Sequence, residues 1–146
     1  MSQAVDVEAG TRRVAQGWFD ALTGGDIQTA LAYLDEDVEF INYTPVPGYN
    51  DDMAWIGTYR GRDAAFGSFQ VFVGACDVQV EELVALVVDG QEAMGVIHEV
   101  SVVRETGQRF EIEFIQRLTI RDGKIVRWKS YTDPSPIIRA IRGGES

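Results

Sequence analysis

The sequence predicts an α+β fold in which a curved, mixed sheet of mainly antiparallel strands wraps around three N-terminal helices. Two observations predict it: three helical patterns come first, and strand patterns joined by short turns come last. Helices that are segregated from sequentially connected strands are typical of an antiparallel sheet with helices on one face. We expect residues 1–146 to form a single domain with one core, and residues 1–6 to be disordered.

The helical patterns rest on apolar residues that recur every three or four positions. They cover residues 8–22, 26–34 and 61–74. Gly24 and Gly25 end the first helix, because glycine readily adopts the left-handed conformation that often follows a helix. Asp26 is a suitable N-cap for the second helix, since its carboxylate can accept from a free backbone N–H.

A short strand over residues 38–43 leads into residues 44–58, which are too long for a simple connection. This segment combines several turn-forming residues with the aromatic Tyr49 and Trp55. Long loops of this kind often carry function, so we predict a lid or a binding loop.

Strand patterns follow over residues 78–88 and 94–103, and a β-hairpin over residues 110–136 is the clearest of them. In its first strand the even positions are apolar and the odd positions are mostly charged, which is the period of a half-buried strand. Gln116 is the polar residue that interrupts the apolar row. An Asp-Gly pair at residues 122–123 marks the turn of the hairpin.

The composition argues against several classes of function. A formal charge of −10 and a pI near 4.4 repel phosphate backbones and anionic membranes, so we expect neither nucleic acid nor a membrane as partner. No apolar run approaches the roughly 20 residues of a membrane span, and the N-terminus lacks the pattern of a secretory signal. One cysteine and one histidine provide neither an internal disulfide nor a Cys/His zinc cluster. We therefore expect a cytoplasmic protein without metal or cofactor.

Three local patterns carry a resemblance to a known family. The first is WFDALTGGD at residues 18–26 with LAYLDEDV at residues 31–38, the second is GTYRGRDA at residues 57–64, and the third is DGKI with SYTDP between residues 122 and 134. Together they resemble the SnoaL-like branch of the nuclear-transport-factor-2-like (NTF2-like) superfamily over nearly the whole chain. The resemblance implies a cone in which sheet and helices enclose an apolar pocket for a small hydrophobic molecule. It also implies a homodimer formed through the convex sheet face.

Two mechanisms of that superfamily require charged groups that this chain lacks. Its steroid isomerases use a carboxylate base, a tyrosine and a protonated aspartate, and the matching positions are Asn42, Trp18 and Gln116. A neutral amide cannot accept a proton at neutral pH, so the chain does not resemble a standard ketosteroid isomerase. The limonene-type epoxide hydrolases use Arg-x-Asp and a second Asp, where this chain has Val-Ser-Val at residues 100–102 and Ser130. That reaction is disfavoured as well.

His98 is the preferred acid–base candidate, because it lies on the even, apolar row of the strand over residues 94–103. An inward orientation requires even positions of this strand to pair with even positions of the next, since a slip of one residue would turn His98 outward. A structural role for a buried histidine is the alternative. Asn42 and Gln116 would polarise a substrate carbonyl, although Gln116 could equally bond a neighbouring side chain.

Asp133 stands before Pro134, where the last strand ends. It is either a catalytic or ligand-contacting carboxylate or the cap of a short helix over residues 136–141. The residues that we expect to contact a ligand are mainly aromatic. They are Trp18, Tyr43, Trp55, Tyr59, Val100, Phe114, Trp128 and Ser130.

These observations favour a cofactor-independent cyclase, isomerase or dehydratase that acts by acid–base chemistry on an apolar, polyketide- or steroid-like substrate. Whether the chain is an enzyme stays open, because the absent charged groups equally suit a non-catalytic binding protein for a flat hydrophobic metabolite. A protein-interaction domain is the weakest interpretation, since mixed charges rather than a continuous apolar surface follow the outward row of the hairpin.

Overall fold

The structure is a computed structural model that describes residues 2–144, with side chains described for residues 5–144. Within this part of the chain there are four helices and six strands. The helices are α1 Ser2–Thr23, α2 Ile27–Leu31, α3 Arg62–Ala75 and α4 Ser135–Ile141. The strands are β1 Leu34–Asn42, β2 Gly57–Arg60, β3 Cys76–Asp89, β4 Glu92–Val103, β5 Arg109–Arg121 and β6 Lys124–Tyr131. None of the helices in the described residues is both long enough and apolar enough to cross a membrane.

The six strands form one curved, open sheet in the order β2-β1-β6-β5-β4-β3. Neighbouring strands are antiparallel except β1 and β6, which run parallel. Helix α1 packs against β3, β4 and β5, and α3 packs against β1, β2 and β3. We call the face that these helices cover the inner face and the opposite one the outer face. The predicted α+β fold with a curved, mixed sheet is confirmed.

The ends of the first elements differ from the prediction. Helix α1 begins at Ser2 rather than at residue 8, so it includes residues 2–6, for which we expected disorder; Met1 lies outside the described residues. Asp26 caps α2 as predicted, because its Oδ1 accepts the backbone N–H of Thr29 over 3.2 Å. Helix α2 is shorter than predicted, since strand β1 has already begun at Leu34.

The register of β4 on β5 turns the predicted inward row of β4 outward. Glu99 lies opposite Ile112, so odd positions of β4 share a face with even positions of β5. The cause is the turn over residues 104–107, because an even number of turn residues pairs odd positions with even ones. The even row of β5 points inward as predicted. The even row of β4 does not, and His98 and Val100 lie on the outer face.

Several residues on the inner face of β4 are small. The apolar pattern of this strand therefore predicts the wrong face for its even positions. Gly95 faces helix α1, where a Cβ atom built on it would lie 2.3 Å from the ring of Phe19. A side chain at this position would therefore force α1 away from the sheet. Ala93 and Ser101 on the same face are fully buried, whereas larger apolar side chains such as Met94 lie on the outer face.

Aromatic side chains connect α1 to the middle of the sheet. The ring of Trp128 stacks on Phe40 with centroids 3.6 Å apart, and it meets the ring of Trp18 edge-on at 4.7 Å. All three side chains are nearly fully buried. Aromatic contacts of this kind add about 0.5–1.5 kcal/mol each beyond the burial of their area, so they hold β1, β6 and α1 together.

Residues 43–56 form the long loop between β1 and β2. Met53 and Trp55 are buried and attach the loop to the core. Its outer side is joined to the C-terminal end of the chain by an ion pair of 2.9 Å between Arg142 and Asp52. The loop is therefore held at both of its sides, and motion as a lid stays a prediction.

Candidate functional site

A cavity of about 60 Å³ lies between the inner face of the sheet and helices α1, α3 and α4. Its wall is mainly apolar and aromatic, from Leu22, Phe40, Trp55, Phe69, Phe72, Ile112, Phe114, Trp128 and Ile137. Polar side chains interrupt this wall at Asn42, Tyr43, Glu81, Glu99, Gln116 and Ser130. An apolar cavity with a few converging polar groups is the usual form of a small-molecule site.

Two carboxyl groups stand side by side at the cavity wall. Glu81 of β3 is the direct cross-strand partner of Glu99 of β4. Glu99 is 3% exposed, and its carboxylate accepts a hydrogen bond of 2.7 Å from the hydroxyl of Ser101. Adjacent carboxylates in apolar surroundings cannot both ionise without a large cost. They are not part of a metal-ligand group, since no three His, Cys, Asp or Glu side chains are so arranged among the described residues.

Burial raises the pKa of both carboxyl groups into the range in which acid–base catalysts work. The pKa of Glu99 rises to about 7, because burial disfavours its charge more than the Ser101 hydroxyl stabilises it. The pKa of Glu81 rises to about 8, because of burial first and the neighbouring Glu99 second. The pair therefore holds roughly one proton between these two values, and it presents a base next to an acid.

Tyr43 follows β1 and belongs to the same wall. Burial raises the pKa of its phenol, and the charges of Glu99 and Glu81 raise it further, so the phenol stays protonated. Its backbone has a φ of 57°, in the left-handed region that aromatic residues rarely adopt. Such a conformation costs about 1–3 kcal/mol, and residues that bear this cost cluster at functional sites.

Gln116 is 4% exposed on the inner face of β5. Its Oε1 accepts a hydrogen bond of 2.8 Å from the indole Nε1–H of Trp18. Because an indole nitrogen only donates, this contact fixes the orientation of the amide and leaves Nε2 as a donor on its other side. Gln116 therefore bonds a neighbouring side chain, which is one of the two roles considered for it from the sequence. It also lines the cavity.

The indole N–H of Trp128 is the only fully buried side-chain polar atom without a hydrogen-bond partner in the part of the chain that the structure describes. Trp128 is 3% exposed and lines the cavity. An unsatisfied buried donor costs about 1–3 kcal/mol, which a ligand oxygen would remove by accepting from it. A residue of the cavity wall thus carries a donor that no protein atom in the described residues uses.

Asn42, Ser130 and Gln116 form a polar row across three neighbouring strands, since Ser130 pairs with the other two. The amide nitrogen of Asn42 donates to Ser68 Oγ at 3.1 Å and to the carbonyl of Trp55 at 3.3 Å. Its Oδ1 is then left as an acceptor. Amides and hydroxyls do not ionise near neutral pH, so this row can bind and orient a ligand but cannot take its proton.

The prediction that His98 faces the pocket is wrong, and so is the same prediction for Val100. Both lie on the outer face because of the β4–β5 register. There His98 Nδ1 is 2.9 Å from Glu82, and Nε2 is 2.6 Å from Glu111. Hydrogen bonds to these carboxylates, Glu111 first, raise the pKa of His98. The histidine therefore belongs to a charged surface cluster.

We expect His98→Gln to leave binding of an apolar fluorophore such as anilinonaphthalene sulfonate unchanged. The substitution should instead change the stability of the fold. Protonated His98 stabilises the fold below the unfolded-state pKa of about 6.5, and this contribution disappears as pH rises through the raised pKa of the folded state. Thermal melts at about pH 6 and about pH 9 should show a less stable variant only at the lower pH. Weaker fluorophore binding by the variant would contradict the assignment.

Seven of the twelve predicted site residues line the cavity, namely Asn42, Tyr43, Trp55, Phe114, Gln116, Trp128 and Ser130. Asp133 does not, because it is exposed and accepts the backbone N–H of Ser135 at 3.0 Å, which lowers its pKa. This bond lies at the start of the C-terminal helix, but the N-cap residue of that helix is Pro134 rather than Asp133. Tyr59 donates its hydroxyl to the carbonyl of Trp55 at 2.9 Å and lies outside the wall. Trp18 does not line the cavity and contacts the site by donating to the Gln116 amide.

Glu81 and Glu99 were not among the predicted site residues. An inward even row on β4 places Glu99 on the wrong face, and the correct face follows only from the length of the turn over residues 104–107. On β3 the register shifts between Val78 and Val80 and again after Leu83, so simple alternation does not show where Glu81 points.

A family model described as SnoaL-like domain matches residues 15–128. Among solved structures, an NTF2-like protein from Burkholderia thailandensis is 22% identical with a TM-score of 0.79, and the match covers 90% of this chain and 96% of that one. A provisionally named SnoaL-like polyketide cyclase from Mesorhizobium loti is 18% identical with a TM-score of 0.69, covering 82% and 97%. A provisionally named isomerase from Bacillus subtilis is 16% identical with a TM-score of 0.73, covering 92% and 94%.

At these identities the likeness to solved structures concerns the fold alone. No protein with a curated function matches the sequence. The chemistry of the site must therefore be argued from its own residues.

Proposed function

Since the chain belongs to the SnoaL-like domain family, we propose that it is a cofactor-independent enzyme that moves a proton on a small apolar substrate, as isomerases, cyclases and dehydratases do. The observation that carries this proposal is the pair Glu81–Glu99 at the wall of an apolar cavity. Buried carboxyl groups with raised pKa values destabilise a fold, and such groups concentrate where catalysis needs them.

Glu99 is the proposed base and Glu81 the proposed acid. Glu99 has the lower pKa of the two, about 7 against about 8, and so loses its proton first. In the proposed reaction the Glu99 carboxylate takes a proton from a substrate carbon, and the Glu81 carboxyl group delivers its proton to another atom of the substrate. Transfer of a proton from Glu99 back to Glu81 then restores the starting state.

Gln116 and Trp128 are the proposed donors to a substrate oxygen on which negative charge develops. The Gln116 amide is oriented by Trp18, and the Trp128 N–H has no protein partner among the described residues. Donors that are fixed before the reaction stabilise such charge without reorganisation, and a single one contributes on the order of 100-fold or more in rate. The substrate is therefore a compound with a carbonyl oxygen near an acidic C–H.

The size of the cavity limits which part of a substrate it can hold. Its volume of about 60 Å³ is far below the roughly 300–1,000 Å³ of pockets that enclose drug-sized molecules. A steroid-sized molecule does not fit within it. We propose that the cavity takes the reactive end of the substrate and that any larger remainder lies outside.

Solvent-deuterium exchange into a panel of enolisable ketones, followed by NMR, tests the proposal without knowledge of the full reaction. Exchange catalysed by the protein should rise through about pH 7 and fall through about pH 8, because it requires one ionised and one protonated carboxyl group. Glu99→Gln should slow it by about 100-fold or more. Glu113→Gln, on the exposed outer row of β5, is the matched control and should keep full activity. Exchange that survives in Glu99→Gln would refute the assigned base.

Binding without turnover is the second candidate, and the unpartnered N–H of Trp128 favours it, because this donor needs only an acceptor and no proton transfer. A binding protein would hold an unchanged small carbonyl compound and would show no protein-dependent exchange on any member of the panel. Mass spectrometry of the compound before and after incubation separates the two functions.

A further inference from the structure

A second cavity of about 430 Å³, here called the outer cleft, opens beside the first. It lies between the turn that joins α1 to α2, the end of α3 and the beginning of β3. Leu22, Phe69 and Glu81 line both cavities. These three residues therefore border both spaces, and one of them belongs to the carboxyl pair.

Arg104 is the one cationic residue in the wall of the outer cleft. Its Nε donates to the carbonyl of Val73 at 3.1 Å, and its backbone N–H donates to the carbonyl of Ala75 at 2.9 Å. These contacts anchor the guanidinium group, and no salt bridge to it occurs in the described part of the chain. Its terminal nitrogens are then available in the planar geometry that binds carboxylate or phosphate oxygens in pairs.

Two acidic residues line the outer cleft, Asp77 and Glu81, and Glu81 opposes an anion less than its position indicates. The Asp77 carboxylate accepts a hydrogen bond of 2.7 Å from the Gln79 amide. Glu81 is largely protonated at neutral pH, because burial raises its pKa to about 8. The remaining wall is mainly apolar, with side chains such as Leu22, Val73 and Val78.

We propose that the outer cleft binds the non-reacting part of the substrate and that this part carries an anionic group held by Arg104. The ligand would be an amphipathic anion, with an apolar body in the outer cleft and a carbonyl group that reaches past Leu22 and Phe69 to the carboxyl pair. The reacting end rests on the function proposed above, whereas the anion site does not depend on catalysis.

Two fluorophores of similar apolar size test the anion site, the anionic anilinonaphthalene sulfonate and the uncharged phenylnaphthylamine. The full chain should bind both, and Arg104→Gln should weaken the anion about tenfold or more while leaving the neutral probe unchanged. Arg104→Lys should lose part of the anion affinity, because the ammonium group keeps the charge but not the paired geometry. Arg121→Gln, an exposed arginine at the end of β5, is the matched control and should bind like the wild type. Val73→Trp should weaken both probes, because this residue is 40% exposed at the rim and a larger side chain would fill the outer cleft.

Unchanged anion affinity in Arg104→Gln would overturn the inference, and so would an equal loss of both probes in that variant. Neither result touches the proposed function, since the carboxyl pair is intact in Arg104→Gln. Conversely, Glu99→Gln should bind both probes at least as tightly as the wild type. Loss of deuterium exchange in Glu99→Gln therefore reports on the catalytic proposal alone.

Discussion

Replacing Glu99 by glutamine should stabilise the fold by roughly 2–3 kcal/mol at about pH 9 and should change it little at about pH 4. The folded-state pKa of Glu99 lies above the unfolded value, so ionisation favours the unfolded chain. The penalty is absent below about pH 4.5, grows as pH rises through the folded pKa of about 7, and is complete above it. Glutamine keeps the shape and can still accept from the Ser101 hydroxyl, but it never carries the charge.

Denaturant unfolding of the wild type and Glu99→Gln across this pH range measures the effect. The wild type should lose stability steadily between about pH 5 and about pH 8, and the variant should lose less, because only Glu81 of the pair then ionises. Glu113→Gln on the exposed outer row is the control for a change of net charge and should follow the wild type. A variant that is less stable than the wild type at high pH would contradict the prediction that the ionised Glu99 side chain destabilises the fold.

Gly95→Ala should destabilise the protein by about 2–3 kcal/mol. The added Cβ would lie 2.3 Å from one ring atom of Phe19 and within 2.8 Å of two more. Phe19 is fully buried between α1 and the sheet, so its ring has no free space into which it can retreat. The helix or the strand must therefore move, and contacts on both are lost.

Gly67→Ala is the matched control, because it makes the same chemical change where no atom lies within 4 Å of the new Cβ. Gly67 is inside helix α3, and alanine there should stabilise by about 0.5–1 kcal/mol. Gly95→Ala combined with Phe19→Leu should be more stable than the sum of the single changes predicts. Thermal melts of Gly95→Ala, Gly67→Ala, Phe19→Leu and the double variant test these predictions. An unchanged stability of Gly95→Ala would contradict the close packing of α1 on β4.

The fold was predictable from the sequence where periodicity and turns agree. The hairpin over residues 110–136 has an even apolar row and an Asp-Gly turn, and β5 and β6 follow both. Strand β4 was predictable only in extent. Its inner face includes Gly95, which must admit the ring of Phe19, and this packing demand comes from a helix far away in the chain.

The candidate site was predictable in part for the same reason. Gln116 stood out as an interruption of an apolar row, but its partner Trp18 is 98 positions away and becomes a neighbour only in the fold. Glu99 sits on a row whose direction depends on the length of one turn. The volume of the cavity depends on how side chains from three helices pack, and no local pattern encodes it.

The irregular register of β3 sets the direction of the Glu81 side chain, and it also affects the free edge of the sheet. Strand β3 lies at the edge of the open sheet, and the other edge, β2, has only four residues. A long, regular edge strand would template the addition of further strands from other molecules, which is a route to aggregation. The shifts after Val78 and after Leu83 break the row of unpaired backbone groups into short pieces. The same irregularities that set a carboxyl group against the cavity thus make the long edge of the sheet a poorer template for a further strand.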